Sequence, residues 1–330
     1  MVRSKAWILE TPFHGIPKED DFKLLKEDLN DLKDGEVLCE ALYLSVDPYM
    51  RSLVSLGMLK AGSPMVGDQV AIITESKSRD YPVGTNVIGR LGWRSHTIVS
   101  DLTHIKLLPP MDDLPLSLAL GPMGMTGMTA YFGLLEILDP KPGETVLVNS
   151  GAGAVGSIVG QIAKIKGCRV VACAGSEDKC KWIKEDLGFD VVFNYKTVDL
   201  GEALSEAAPD GIECFFDNVA GDFMSTVFPH MKLYGRIACC GTMSTYNAVG
   251  PQPSGPHPYM TIVFKQLRLE GFMVRRWWGK WSPAQVEMLQ WIKEGKIKYK
   301  ECLFHGIETM PKGFISLFEG SNFGKVIIKA

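Results

Sequence analysis

Residues 145–156 read Thr-Val-Leu-Val-Asn-Ser-Gly-Ala-Gly-Ala-Val-Gly, an apolar strand running straight into a complete G-x-G-x-x-G, and a helix-like run follows from Ser157 to Lys166. That strand–turn–helix context is what a nucleotide-binding βαβ unit requires of the glycine pattern. Gly151 is expected to take a left-handed turn. Gly153 lets the backbone approach a pyrophosphate, and Gly156 lets the helix pack closely on the strand. The helix start, with Ala152, Ala154 and Val155 between the glycines, then offers open N–H groups and a positive dipole end to phosphates. The alternative is a merely tight structural turn.

At 330 residues the chain is long enough for two domains, because single cores stop growing near roughly 250–300 residues. A net charge of −3 gives no electrostatic reason to expect nucleic acid or an anionic membrane as a partner. No apolar run approaches the roughly 18 residues that span a bilayer. Arg3, Lys5 and Glu10 frame the N-terminus without a signal-peptide core. The eight cysteines are scattered, several in apolar strand-like runs (Cys173, Cys214, Cys239, Cys240). Scattered buried thiols suit a reducing compartment, the cytosol, better than a disulfide framework.

The first 120 or so residues read as β-rich, with strands expected at Arg3–Leu9, 36–45, 69–74, 86–91 and His96–Val99 between Gly, Pro, Asp and Ser clusters. Residues 129–138 are apolar at helical spacing. From Thr145 short apolar strands alternate with amphipathic runs: strands at Arg169–Ala174, 191–195, 213–219, 236–241 and 267–274, helices at 178–187, 200–208, 223–233 and 282–294. Such alternation implies right-handed βαβ units and a doubly wound parallel sheet. The tail reads strand, helix, strand, and its last strand, Lys325–Lys329, has no obvious place in a six-stranded parallel sheet. We therefore expect the tail to return to the β-rich domain, so that a nucleotide-binding domain over 123–295 is inserted into a domain made of 1–122 and 296–330. Residues 244–258, with Tyr246, Asn247 and prolines at 251, 253, 256 and 258, follow a strand end where α/β folds place ligands. They read equally as a rigid surface loop or as one wall of a substrate cleft.

In NAD-binding folds an acid near the end of the second strand holds the adenosine ribose diol. Here that strand ends Cys173-Ala174-Gly175-Ser176, with no acid. Small residues leave room for a 2′-phosphate, Ser176 can donate a hydrogen bond, Lys179 can supply positive charge, and Tyr195 can add a hydroxyl. Ser176 also reads as a helix N-cap with Glu177 and Asp178 in the first turn. Both readings hold together, since a capped helix lets Lys179 reach back. The two acids argue mildly against a phosphate, yet the balance points to NADPH.

None of the six histidines pairs with a nearby Cys or His at zinc-site spacing, no C-x-x-C occurs, and Cys39 is the sole cysteine before residue 123. Neither a G-x-S-x-G elbow nor a P-loop is present. A hydride donor without a Lewis acid suits an acceptor that is already activated, such as a carbon–carbon double bond conjugated to a carbonyl.

Taken together, these residues resemble the zinc-independent branch of the medium-chain dehydrogenase/reductase superfamily. Five segments carry the likeness more specifically: Val46-Asp47-Pro48-Tyr49-Met50-Arg51, 127–134 (GMTAYFGL), Phe216-Asp217-Asn218-Val219, 241–247 (GTMSTYN) and Asn322-Phe323-Gly324-Lys325. They are similar to the enone reductases of that branch. The resemblance implies an α/β architecture, with a Rossmann domain inserted into a β-rich, GroES-like catalytic domain. It implies an NADP(H)-dependent cytosolic homodimer that reduces α,β-unsaturated ketones and aldehydes. Typical substrates are 15-oxo-prostaglandins and lipid alkenals, with leukotriene B4 oxidised in the reverse sense. It carries cofactor contacts onto Ala152 to Val155 at the pyrophosphate, onto Lys179 and Tyr195 at the 2′-phosphate, and onto Asn218, the segment Cys240-Gly241-Thr242-Met243-Ser244-Thr245-Tyr246, Phe272-Met273-Val274 and Asn322 around the ribose and nicotinamide.

Donors aimed at developing negative charge are usually the largest catalytic term, and the Tyr246 hydroxyl is the candidate donor at the substrate carbonyl; the alternative is that it only packs on the nicotinamide. Tyr49 and Arg51 are substrate-contact candidates, with core packing the equal alternative for Tyr49. Arg275-Arg276-Trp277-Trp278, with Tyr259 and Phe264, reads either as a site for a fatty-acid carboxylate and chain or as a partly exposed loop whose tryptophans bury against a neighbour. Two rival functions stay open from sequence: quinone reduction with the same cofactor, and a non-catalytic NADPH-binding role.

Overall fold

The computed structural model describes residues 2–111, 113–250 and 258–330. The chain divides into two compact units, one running to Gly121 and resuming at Glu301, the other spanning Pro122–Lys300.

The β-rich unit contains β1 (Arg3–Leu9) and β2 (Phe22–Asp28), which pair antiparallel with each other. Its main sheet uses β3 (Val37–Ser45), β4 (Gln69–Ser76), β5 (Asn86–Gly89), β6 (His96–Val99) and β7 (Ile105–Leu107). The tail supplies two more strands, at Glu301–His305 and Lys325–Lys329, and the latter pairs antiparallel with β3, Ile327 opposite Ser45. One core of this sheet gathers Val37 and Cys39 of β3 with Ala71, Ile73 and Val87. A second core gathers Met50, Trp93 and Phe314 against Phe13 and Phe22. β2 went unread because its sequence, Phe-Lys-Leu-Leu-Lys-Glu-Asp, is mostly exposed and lacks a clean period of two.

The α/β unit holds β8 (Thr145–Val148), β9 (Arg169–Ala174), β10 (Val191–Asn194), β11 (Ile212–Asp217), β12 (Met231–Cys239) and β13 (Arg268–Gly271). All neighbours are parallel, in the order β10-β9-β8-β11-β12-β13. This is the doubly wound order, and its reversal point lies between β8 and β11, where such folds bind ligands. The central strands are buried, Val170 to Ala174 and Cys214 to Phe216 among them, as a sheet covered on both faces requires, whereas the edge strands β10 and β13 are mostly half-buried or exposed. Several boundaries differ from expectation: the strand expected over 236–241 runs Met231–Cys239, and the one expected over 267–274 stops at Gly271. The helix expected over 223–233 stops at Val227, Pro229 sits in a following 3₁₀ turn, and the chain is already in β12 at Met231. Pro229 cannot donate to a continuing helix. The helix expected over 129–138 begins earlier, at Met125, and passes into a π-helical turn over Gly133–Leu138. The strand tail Lys325–Lys329, labelled β15 after β14 (Glu301–His305), keeps its expected bounds.

Candidate active site

The glycine-rich turn after β8 is closely packed at three positions, Gly151, Gly153 and Gly156. Ser150, one residue before the first glycine, is the left-handed one (φ 52°), whereas Gly151 lies outside that region. This corrects the expectation for Gly151. Space there is short for a different reason: a Cβ would meet the Ala172 Cβ at 3.0 Å, Ile183 Cδ1 at 3.2 Å and Cys173 O at 3.3 Å. Gly151 N–H donates to Cys173 O at 2.9 Å, tying β8 to β9, and Gly153 N–H donates to Ser150 O at 2.9 Å. At Gly156 a Cβ would lie 2.3 Å from Ser150 O. The helix Gly156–Ile165 then starts with no side-chain cap, and the turn itself takes its first N–H groups: Ser157 N–H donates to Gly153 O at 3.1 Å and Ile158 N–H to Val155 O at 3.0 Å. A cradle of this kind fits a pyrophosphate, and these residues fit a dinucleotide.

At the end of β9, Ser176 caps the helix Glu177–Glu185, its Oγ accepting from Lys179 N–H at 3.4 Å, with Glu177 and Asp178 in the first turn. Gly175 forms a floor: the Tyr195 hydroxyl lies 3.2 Å, and Lys196 Cε 3.1 Å, from where its Cβ would be. Tyr195 and Lys196 are exposed. No acid occupies the end of β9, and sequence reading missed Lys196, which follows β10 among polar turn residues.

The ends of β8, β11 and β12 are locked by a buried polar network that sequence reading also missed. Asn149 Nδ2 donates to Asp217 Oδ1 at 2.6 Å, and Asn149 Oδ1 accepts from Asn218 N–H at 2.7 Å. Asn218 Nδ2 returns to Asn149 O at 3.1 Å. Asp217 Oδ1 also accepts from Val219 and Ala220 N–H, both at 2.9 Å. Burial pushes the Asp217 carboxyl up, and those three donors oppose the shift. Cys240 and Gly241 N–H both donate to Asp217 O, so the 240–246 segment hangs from this network. Ser244 adds two bonds to Val219 O, from N at 3.1 Å and Oγ at 2.7 Å. Tyr246 curls back over its own loop, its hydroxyl accepting from Thr242 N–H at 3.5 Å. A phenol that accepts there keeps its own proton available to donate.

Beyond β13, Phe272 packs edge-on to Phe216 and Val274 is buried, while Met273 is exposed. Trp277 is buried and stacks on Phe132 at 5.3 Å, and Arg276 pairs with Glu270 at 2.5 Å. The segment Arg275–Trp278 lies in a 3₁₀ helix, Val274–Lys280, in which Trp278 is exposed. Tyr259 begins an exposed six-residue helix, Tyr259–Phe264. Pro251, Pro253 and Pro256 of the proposed wall lie outside the described residues.

In the β-rich unit, Tyr49 opens the helix Tyr49–Ser55, and Arg90 stands over its ring at 5.8 Å while donating to its hydroxyl at 3.4 Å. Burial first, then Asp47 and Asp68, push the Tyr49 hydroxyl up. Arg51 is buried; its guanidinium donates to Gly15 O at 3.2 Å and to Ser55 Oγ, and it lies 5.4 Å over the Phe13 ring. These contacts describe an anchor for residues 13–15. Asn322 stands on the turn before β15, donating to Gly324 O at 3.5 Å. Asp47 and Lys325 form a buried pair at 2.8 Å. Beside them, burial and Asp47 push the Asp68 carboxyl up to about 6, with Arg90 and Lys325 opposing.

Asp68 makes stability depend on pH. Its ordinary value is 3.8, so between 3.8 and about 6 the folded chain keeps a proton that the unfolded chain has released. Stability from this group is therefore lost as pH rises through that window. Asp68→Asn is expected to remove the slope and to raise the melting midpoint at about pH 7.5, leaving it unchanged near about pH 3.5. Parallel midpoint-against-pH curves for the two proteins would contradict the assignment.

Among the described residues no group of three or more His, Cys, Asp or Glu is arranged to hold a metal ion, and no helix is long and apolar enough to cross a membrane. Residues 5–107 match the family described as N-terminal domain of oxidoreductase, and residues 154–294 match the one described as zinc-binding dehydrogenase. The chain is 54% identical to prostaglandin reductase 1 of Rattus norvegicus over 334 residues, covering 100% of each chain. The chain belongs to the medium-chain dehydrogenase/reductase superfamily. Within that superfamily it is also 40% identical to the NADP(+)-dependent 2-alkenal reductase of Nicotiana tabacum, over 99% of this chain and 97% of the other. Among solved structures, CurA from Vibrio vulnificus in complex with NADPH superposes with a TM-score of 0.94 at 36% identity, covering 99% of both chains. The superfamily's two-part architecture is therefore the one observed, with its parallel sheet and β-rich partner domain.

Proposed function

We propose that the chain is an NADPH-dependent reductase of the carbon–carbon double bond in α,β-unsaturated ketones and aldehydes, taking 15-oxo-prostaglandins and lipid alkenals and oxidising leukotriene B4 in the reverse sense. The observation that carries this reading is the end-to-end identity of more than half the residues with a prostaglandin reductase. The crest of the α/β unit supports the cofactor: a glycine cradle for the pyrophosphate, and an acid-free end of β9 bracketed by Ser176, Lys179, Tyr195 and Lys196 for a 2′-phosphate. When bound, NADPH supplies a hydride to the substrate β-carbon; a proton must then reach the α-carbon. The Asn149–Asp217–Asn218 network fixes the 240–246 loop, and with it the Tyr246 hydroxyl. That hydroxyl donates to the substrate oxygen as negative charge develops there. Tyr49, its phenol steadied by Arg90, is the proposed substrate contact of the β-rich unit.

Tyr246→Phe is expected to lower kcat on a long-chain alkenal by about 100-fold, the usual loss of one oxyanion donor, while the KM for NADPH moves far less. Unchanged kcat would remove the hydroxyl from the reaction. Wild-type protein is expected to oxidise NADPH with enones much faster than NADH; the opposite order would overturn the cofactor assignment.

A homodimer is part of the same reading. β13 is the last strand of its sheet, and the helix Tyr259–Phe264 beside it exposes Met260, Val263 and Phe264 by 71%, 69% and 73%. An open edge next to an apolar patch suits a second copy related by a two-fold axis. Eight free thiols support a reducing, cytosolic setting.

A further inference from the structure

The cofactor reading leaves one tension in the sequence: Glu177 and Asp178 sit beside the place assigned to a 2′-phosphate. The structure shows what happens to the first of them. Glu177 Oε1 accepts from Asn194 Nδ2 at 2.7 Å. Asn194 is the last residue of β10 and is buried. Its Oδ1 accepts from Lys196 N–H at 3.1 Å, and its main-chain O accepts from Thr197 N–H at 3.1 Å and Thr197 Oγ1 at 3.2 Å. One amide therefore holds the carboxylate of the helix start with one end and shapes the Tyr195–Lys196 turn with the other.

We infer that Asn194 is a positioning residue for cofactor selection: by fixing the Glu177 carboxylate against the end of β10, it keeps that charge off the floor at Gly175, where Tyr195 and Lys196 face a 2′-phosphate. The inference rests on the NADPH reading above. A carboxylate freed from Asn194 can swing about the exposed helix start, within reach of the phosphate. Like charges a few ångströms apart repel strongly enough to change affinity by about tenfold even at a well-solvated surface. An amide suits the task because it offers a donor to Glu177 and an acceptor to the Lys196 backbone at once. An aspartate side chain in its place would keep the acceptor, lose the donor, and set a second negative charge against Glu177.

The test is calorimetric titration of the full chain with adenosine 2′,5′-bisphosphate and with 5′-AMP, which needs no turnover. Wild type is expected to bind the bisphosphate about ten times more tightly or better. Asn194→Asp is expected to weaken the bisphosphate about tenfold and 5′-AMP by less than about twofold. Adding Glu177→Gln is expected to restore the ratio, because the new amide donates to the introduced carboxylate. In the enzyme assay Asn194→Asp raises KM for NADPH and leaves kcat nearly constant. If Asn194→Asp does not fold, Glu177→Asp breaks the same bond from the exposed helix by shortening the reach, and the same selective loss is expected. Equal weakening of both ligands, or an unchanged ratio, overturns the role of Asn194 while the NADPH reading stands. Equal affinity of the wild type for both ligands overturns the NADPH reading itself.

Discussion

Gly156→Val is expected to weaken NADPH binding about 100-fold and to lower kcat/KM on an alkenal by at least as much. The cause is local. A β-carbon at 156 would stand 2.3 Å from Ser150 O and 2.9 Å from Ser150 C, so the phosphate turn must move by close to an ångström, and displacements of that size cost on the order of 100-fold where geometry is the catalyst's main contribution. Ser150 has little room to yield, because it already holds the left-handed conformation that a side chain disfavours. Gly153→Ala is the graded control. Its β-carbon would meet Ser150 Oγ at 3.0 Å and Ser150 O at 3.2 Å. A hydroxyl rotation and a small shift relieve those contacts, so a loss of about tenfold or less is expected. Titration by nucleotide fluorescence measures both, with circular dichroism confirming that each variant is folded. Equal affinities for Gly156→Val and wild type would mean that the turn does not hold the pyrophosphate.

The same turn shows how far sequence reading reaches. The βαβ alternation from Thr145 and the tail strand Lys325–Lys329 were legible because burial on one or both faces leaves a periodic trace. So was the tight backbone at 151, 153 and 156, although the reason for Gly151 was misassigned: pattern reading sees that space is short, not whether torsion or a neighbouring strand makes it so. Asn149, Asp217, Asn194 and Lys196 were out of reach as functional parts. Asn194 reaches Glu177 at the start of a helix 17 residues away, and Asn149 reaches Asp217 and Asn218, 68 and 69 residues away; no local spacing encodes such bonds, and Lys196 is placed only through its tie to Asn194. β2 was missed for the opposite reason, since a strand that buries little carries little pattern.

Long-range charge pairing also sets the second large effect. Lys325→Ala is expected to destabilise the chain by about 3–5 kcal/mol, the range for breaking one partner out of a buried ion pair. Lys325 Nζ lies 2.8 Å from Asp47 Oδ1 and donates to Val46 O at 2.8 Å, with both charged side chains about 95% withdrawn from solvent. Without the ammonium, Asp47 keeps the Ser45 hydroxyl as a donor, and the neighbouring Asp68 carboxyl adds a like charge once it ionises. The destabilisation should therefore grow as pH rises past about 6, where Asp68 releases its proton. Removing the pair together, with Asp47→Asn and Lys325→Met, is expected to recover most of the loss, because the penalty arises from the orphaned carboxylate rather than from any large net gain of the pair. Urea denaturation of the single and double variants at about pH 5 and about pH 7.5 separates these terms. A single-variant loss below about 1 kcal/mol, the value of a solvated surface pair, would show that water reaches Asp47 and that the return of the tail strand to β3 is held by backbone pairing and apolar packing alone.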